Sequence, residues 1–574
     1  MLKNNNLLGA GSHNKNCILS IAFALSCCFL VAQPGHAQVN EARQAMVEGD
    51  SLRAIQILSS TLNQNQTAEV QFYLGRAHAN LKQYEKALAI FKQASQRYPN
   101  DSRFHSETAS IHLINRDVEE AKDSLHTALA LSATDPLAVD LLASIKLDEG
   151  NTEGALQTWN LLNQPTIDKI LQNFSPGFIN WVVPQSLAFS EGKVLDYDLW
   201  RTTQERLYST GLFTNVNLDI EPSYSSNLYN ASIQTNSKNN GLGALAVGFL
   251  RGLPVETTYL DIWNVGLSGI TFRASYRWDE DRRRLRGQLL IPIPIPGVPV
   301  LEFTNTWRSE RWNVSESIKQ EFRPNSRFDY KTNSLRLGIH AVPHYKFEIG
   351  GRLDYRNRAA SGKLAKLYLN HQNSATFTVD ARIRTIEGRF SNQLRFEAFV
   401  ARKGIWGDFD FSGVSAQIAN RYGLDEELDT FLDWSLSGGT ARGHLPLENY
   451  FMLGIGRESK HPLRGHFASN SGQYGRAPMG TDFVLLNTEI QRKLITIPMF
   501  NAFGIPYVSI KAAGFYDAAK VFDRNRVFKQ GNWLNDVGLG MRFETPTGSF
   551  SLMYGRGLTE GINSFYGYVE RRFW

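Results

Sequence analysis

Residues 335–341 read Leu335-Arg336-Leu337-Gly338-Ile339-His340-Ala341. Apolar and polar or small residues alternate, and successive side chains of a strand point to opposite faces, so this segment has one apolar and one polar face. The pattern recurs. Phe347, Ile349 and Leu353 alternate with Lys346, Glu348, Arg352 and Asp354. Phe377, Val379, Ala381 and Ile383 alternate with Thr378, Asp380, Arg382 and Arg384. A soluble sandwich also alternates. A membrane barrel is favoured because the second face carries charges strand after strand, as a wet lumen would, and because no helical pattern between these strands offers a cover. Residues 237–574 are expected to form about 16 strands, an even number, at roughly 20–22 residues per strand and turn. Ile291-Pro292-Ile293-Pro294-Ile295-Pro296 lacks ladder donors at its prolines and is expected at an edge, a turn or a strand end.

Working outward, the 574-residue chain is 42% hydrophobic and 20% charged, with 11% aromatics and 46 glycines. These values exclude a disordered chain and a polytopic helical membrane protein. The net charge of +6 is unevenly spread. Residues 38–164 hold 11 Lys+Arg against 16 Asp+Glu, a net of −5, whereas the chain beyond 164 carries +9. A basic C-terminal part fits polyanionic surroundings such as lipopolysaccharide and outer-membrane lipid, and no nucleic acid is expected. Lys3 and Lys15 precede an apolar stretch from Ile18 to Ala32, too short to span a membrane, and Pro34-Gly35-His36-Ala37 offers small residues for cleavage. Residues 1–37 are therefore read as a signal peptide. Cys17, Cys27 and Cys28 all precede that cut, so no disulfide or thiol metal site is expected. A lipoprotein box would need small residues before Cys28, and Leu25-Ser26-Cys27 is a poor version of one.

Residues 38–164 repeat. Gly75, Ala87, Phe91 and Ala94 recur after 34 residues as Ala109, Ala121, Leu125 and Ala128, and again as Ala143, Ala155 and Trp159. That period is the tetratricopeptide signature. Small residues sit where two helices cross closely, and the large apolar residue fills the groove beside them. Such an arm binds a protein segment in its concave face, or serves as a spacer. Residues 165–236 change character: Asp198 to Ser209 reads as a helix stopped by Gly211, Phe213 to Ile220 as a strand, and Asn230 to Asn236 as its partner. The fold class is thus α+β and multidomain.

No HExxH, Walker loop or GxSxG motif is present, and no metal, cofactor or catalytic residue is assigned. Asp279-Glu280-Asp281 followed by Arg282-Arg283-Arg284 reads as a solvated hairpin tip. The C-terminal third is more specific. Gly454-Ile455-Gly456 precedes Leu463-Arg464-Gly465-His466-Phe467; then come Gly480, Asn487 to Arg492, and Phe515-Tyr516-Asp517-Ala518-Ala519; last comes the stretch from Gly538 to Gly555. This ordered set resembles the BamA/TamA superfamily of outer-membrane barrels, the bacterial surface antigen family. Residues 192–220 resemble the end of a POTRA domain. The repeat arm lies outside the usual plan of that family. The resemblance implies that Arg464 and Gly465, on a loop folded into the barrel, reach Glu489 and Asp517 on the wall as a latch. It places His466 where an aromatic is usual, and Ala519 where Gly is usual. It implies a C-terminal strand signal, here Phe565, Val569, Phe573 and Trp574. It further implies protein assembly or translocation at the outer membrane, with a periplasmic arm recruiting a partner or client and no covalent chemistry. The alternatives are a passive receptor, adhesin or pore, and a barrel hydrolase with Ser and His in its wall.

Overall fold

The computed structural model describes residues 34–570 except 65, 174–180, 225–227, 239–240, 242–244, 247–248, 250–255, 280–281, 316, 321–325, 362–372, 406, 426, 457–458, 471–472, 503–504, 530 and 546–547. The expected signal peptide lies outside these residues up to position 33, as do Phe573 and Trp574. The chain forms two compact units, 1–164 and 165–574.

The first unit is a run of eight helices: α1 Pro34–Val47, α2 Ser51–Gln64, α3 Ala68–Asn80, α4 Tyr84–Arg97, α5 Arg103–Asn115, α6 Val118–Leu131, α7 Pro136–Asp148 and α8 Thr152–Trp159. The period of 34 is visible as packing. Ala54, Ala87, Ala121 and Ala155, at equivalent places on α2, α4, α6 and α8, are fully buried, as are Phe91 and Leu125, and Trp159 is nearly so. A methyl added to Gly75 on α3 would overlap the Phe91 ring, so the glycine is where the two helices touch. Caps fix the turns. Asp135 accepts from the Ala138 amide at 3.0 Å with Pro136 at the first helical position, and Ser102 donates to Asp135 at 2.6 Å, tying one repeat to the next.

The second unit opens with a small sheet: β1 Ile167–Asn173, α9 Val182–Ser186, α10 Tyr197–Ser209, β2 Phe213–Pro222 and β3 Tyr229–Ser237. The strand order is β1-β3-β2, with β1 parallel to β3 and β2 antiparallel to it. Gly211 follows α10 at φ +73°, a left-handed turn that suits glycine. The hairpin matches the sequence expectation, while β1 was not anticipated.

The barrel strands are β4 Thr257–Ile262, β5 Thr271–Asp279, β6 Arg282–Pro292, β7 Val300–Asn313, β8 Arg327–His344, β9 Phe347–Ser361, β10 Asn373–Glu387, β11 Phe390–Ala401, β12 Phe411–Asp425 and β13 Thr430–Gly443. Four two-residue strands follow: β14 Phe451–Met452, β15 Ser469–Asn470, β16 Gln473–Tyr474 and β17 Met479–Gly480. The wall resumes with β18 Asp482–Ala502, β19 Ile505–Phe522, β20 Leu534–Thr545, β21 Gly548–Gly557 and β22 Ile562–Glu570. The sheet closes, with β22 beside β4. The described residues thus supply 15 wall strands, against about 16 expected from the sequence.

The alternation has the expected outcome. Leu335, Leu337 and Ile339 are exposed on the outer surface, as are Phe377, Ile383, Val414, Ile418 and Leu436 on other strands. An apolar outer surface of this extent fits hydrocarbon rather than water. On the inner face a ladder of charge runs across strands: Arg336 donates to Asp354 at 2.8 Å, and Arg352 to Asp380 at 2.6 Å and Glu397 at 2.7 Å. The proline run ends β6 and forms the turn before β7. The acidic-basic block forms the expected hairpin tip with Arg283 exposed, but the described residues flanking the turn are not solvated, and Glu280 and Asp281 lie outside the described residues. Asp279 and Arg282 are buried because each strand-end side chain meets an opposite charge on the wall, Asp279 that of Arg277 and Arg282 that of Glu310 at 3.4 Å.

The small sheet docks on one end of the barrel. Arg206 of α10 donates to the Val342 carbonyl at 3.0 Å and the Pro343 carbonyl at 3.1 Å, at the end of β8. The Tyr345 hydroxyl donates to Asp198 at 2.9 Å, and the Gly297 amide to the Gln185 carbonyl at 2.8 Å.

The Gly75–Phe91 contact gives a direct test of the repeat arm. Gly75→Ala should destabilise the helical unit by about 1–3 kcal/mol, because the ring it meets is fully buried and cannot swing aside. The thermal transition of the helical circular-dichroism signal should fall, with the barrel's heat-modifiable migration unchanged. An unshifted transition would contradict this packing.

Candidate functional site

Residues 444–481, between β13 and β18, leave the barrel end opposite the small sheet and fold inward. Among them, Leu453 pairs in parallel with His461 and Ile455 with Phe467, so the loop has a backbone ladder of its own. Gly454 sits against Ala477 and Ala468, too close for a side chain.

Arg464 is the centre of the contacts on one wall. Its side chain is only 11% exposed. Its Nε donates to Asp517 Oδ2 at 2.9 Å and its Nη2 to Asp517 Oδ1 at 2.6 Å, a two-pronged pairing on β19. Its Nη1 donates to Glu489 on β18, and Nη2 also reaches the Thr488 carbonyl at 2.8 Å. The guanidinium carbon lies 3.9 Å from the centroid of the Phe515 ring, a cation-π contact in a desolvated place. The structure therefore brings together Arg464, Glu489 and Asp517. Gly465 is there for space: a Cβ would lie 2.6 Å from Asp536 Cγ and 2.7 Å from the Gly557 amide.

Several members of this site were not read from the sequence. Asp536 on β20 is fully buried; it accepts from the Gly465 amide and lies 3.1 Å from His466 Nδ1. It stands directly opposite Asp517 in the β19–β20 register. Two buried carboxylates side by side repel unless cations intervene, and Arg464 and His466 take one each. Arg542 pairs with the other oxygen of Glu489 at 2.8 Å, and Ser564 on β22 donates to the Arg464 carbonyl at 2.7 Å. The only sequence signal for Asp536 is its place on an alternating strand; its pairing with Asp517 needs the register.

His466 also faces Glu560, in the β21–β22 turn, at 3.4 Å. Burial opposes its charged form, but the hydrogen bonds to Asp536 and Glu560 outweigh that and raise the imidazole to about 9. The ring therefore acts as a cation at neutral pH. The apolar role passes to Phe467, edge-on to Tyr566 at 6.5 Å. Ala519, in the place of the usual glycine, is fully buried in one cluster with Leu463, Leu485 and Val521.

Of the expected terminal signal, Phe565 is 71% exposed on the outer surface of β22. Val569 pairs with Phe550 of β21 through the backbone. No group of three or more His, Cys, Asp or Glu suited to a metal occurs among the described residues.

The tetratricopeptide repeat family matches residues 68–101. No curated protein matches. Among solved structures, CdiB from Escherichia coli superposes with a TM-score of 0.51 at 13% identity, over 77% of this chain and 88% of that one. CdiB from Acinetobacter baumannii gives 0.50 at 13%, over 78% and 81%. BamA from Haemophilus ducreyi lacking POTRA domains 1–3 gives 0.46 at 11%, over 70% and 84%. The likeness to the two CdiB barrels is one of fold.

Two predictions arise from the site. Arg464→Ala removes the cation from a group of buried carboxylates, a change on the order of 3–5 kcal/mol locally. Hydrogen exchange over 462–468 should accelerate while the barrel stays heat-modifiable, and Arg464→Lys should recover little, since an ammonium cannot span two acids as a planar fork does. Unchanged exchange in Arg464→Ala would contradict the anchoring. The second concerns pH. A histidine with a raised pKa contributes stability that is fully present below its free value of 6.5 and is lost as pH rises through about 9. Exchange over the same segment should quicken from pH 7 to 9.5, after correction for intrinsic rates, and His466→Asn should flatten that rise. A rise that persists in the variant would assign it to another group.

Proposed function

We propose that this chain is an outer-membrane barrel that translocates or assembles protein, with its repeat arm in the periplasm receiving a client or partner. The observation that carries the reading is the Arg464 anchor. A loop folded into the lumen and tied there by ion pairs can act as a plug that is released when those pairs are exchanged for water. The CdiB-like fold supports the reading, and so does the apolar outer surface.

Each region then has a task. Residues 1–37 direct export and are removed. Residues 38–164 offer a concave helical surface to a protein segment. Residues 165–236 act as a POTRA-like module; the strand–helix–helix–strand–strand order and the β1-β3-β2 sheet support this, and its edge can offer backbone hydrogen bonds to a client. Residues 237–574 form the barrel, closed where β22 meets β4. Opening that junction would expose two strand edges able to template an incoming strand. The driving force is hydrogen-bond closure and apolar burial in lipid, without nucleotide. Phe565 and Val569 on β22, together with Phe573 and Trp574 beyond the described residues, serve as the signal for the barrel's own insertion. Outer-membrane lipid and lipopolysaccharide surround the apolar outer face.

Fractionation and crosslinking test the proposal together. The chain should partition with the outer membrane, and trypsin should reach residues 38–164 only after that membrane is breached. A photoreactive residue at Arg76, on α3, should capture an exported protein. Recovery of the full chain as a soluble periplasmic protein, or cleavage of the arm on intact cells, would overturn the assignment.

A further inference from the structure

The inward loop touches a second wall. Glu448 sits in a single 3-10 turn, Leu447–Asn449, four residues after the loop begins at 444. It is the loop's counterpart to Arg464 with the charges exchanged. Its Oε1 accepts from Arg356 Nη1 at 2.9 Å and Arg358 Nε at 2.7 Å, both on β9; Arg358 Nη2 reaches it too. Its Oε2 accepts from the Tyr330 hydroxyl on β8 at 2.5 Å. Burial disfavours the ionised carboxylate, but the two guanidinium groups outweigh burial and hold it well below the usual carboxylate range. Tyr330 and the Arg358 side chain are almost wholly buried, and Leu447 packs in one cluster with Tyr330, Trp312 and Phe328. Further along the loop, Lys460 pairs with Glu397 of β11 at 3.0 Å, and Gln473 with Asn313 of β7 at 2.8 Å.

Position in the barrel distinguishes the two anchors. The loop leaves β13 and returns to β18, and these strands are neighbours. Arg464 binds β18 and β19, the wall where the loop is rooted. A loop holding only that contact could lie against its own wall and leave the lumen clear. Glu448 binds β8 and β9. Going round the barrel, five wall strands among the described residues separate β9 from β19 on one side, and seven separate β8 from β19 on the other. Three wall strands separate β9 from β13, where the loop starts, so the Glu448 contact, with those of Gln473 to Asn313 and of Gly475 to Ser317, draws the loop away from the Arg464 wall and over the lumen. A cavity of about 300 Å³ lined by Arg308, Arg352, Arg356, Lys460 and His461 lies against it.

We propose that Glu448, clamped between Arg356 and Arg358, is the positioning residue that keeps the lumen closed, while Arg464 fixes the loop to its root wall. The clamp is a property of the barrel alone, so its failure would leave the translocation reading standing.

Conductance of the purified full chain in planar bilayers tests this. Glu448→Lys puts a third cation against two arginines and should raise the open fraction by about tenfold or more. Arg464→Ala should raise it by less than that. Adding Arg358→Glu to Glu448→Lys restores an opposite-charge pair and should bring conductance back toward the wild-type level, which a merely destabilised barrel would not do. Glu448→Gln, equal in shape, covers the case in which the lysine variant does not fold, and should open the lumen to a smaller extent. Wild-type conductance in folded Glu448→Gln, a larger effect from Arg464→Ala, or no rescue by Arg358→Glu would each overturn the proposal.

Discussion

A closed sheet with alternating residues must turn half of its side chains inward, and charges placed there must meet opposite charges. A desolvated ion without a partner is far more costly than the pair is beneficial. Much of this wall satisfies itself, as in the run from Arg336 through Asp354 to Arg352, Asp380 and Glu397. Two patches draw on the inward loop. Near β18–β20, three carboxylates crowd together, and the loop brings Arg464 and His466. Near β8–β9, two arginines stand together, and the loop brings Glu448. This matching of charge, together with apolar packing of Leu447 and Leu463 against the wall, places the loop, and the glycines let its backbone approach.

The Asp517–Asp536 pair shows how strict the matching is. The two stand opposite each other across β19–β20, and neither is exposed. Arg464 engages one and the imidazole of His466 the other. An aromatic at 466 would supply area but no proton, leaving Asp536 with only the Gly465 amide from this part of the loop. The histidine therefore changes the chemistry of the site, and Phe467 meets Tyr566 to supply an apolar contact nearby.

The repeat arm was legible because its period of 34 is carried by small residues whose burial leaves no room for substitution, as at Ala87, Ala121 and Ala155. The barrel was legible from alternation together with the charges carried on one face strand after strand, since each strand has one outer and one lumen-facing side. Less legible was β1: Ile167–Asn173 pairs in parallel with a strand about 60 residues away, and its sequence mixes Asp168 and Lys169 among apolar residues. The solvated reading of Arg282 failed because charge alone does not say whether a strand end faces water or the lumen. Arg464, Glu489 and Asp517 were legible through an ordered motif set. Asp536 and Glu448 were not, because their meaning lies in register and in partners far along the chain. Arg356 and Arg358 do carry a signal: two arginines two residues apart on a strand share one face and call for an anion.

Two anchors of opposite sign also explain how a plug can be firm and still releasable. Withdrawing the loop leaves a basic patch on one wall and an acidic patch on the other, and both would be ruinous in a dry interior. The lumen refills with water as the loop leaves, and water solvates both patches. The true alternative to each ion pair is therefore a hydrated charge, so the net gap between closed and open is far smaller than the pair's strength in isolation. A gap of a few kcal/mol is within reach of a binding event that engages the loop or the junction of β22 with β4. Charge pairing across a lumen that can be wetted thus fits the proposed translocating barrel, which would seal when idle and open on binding.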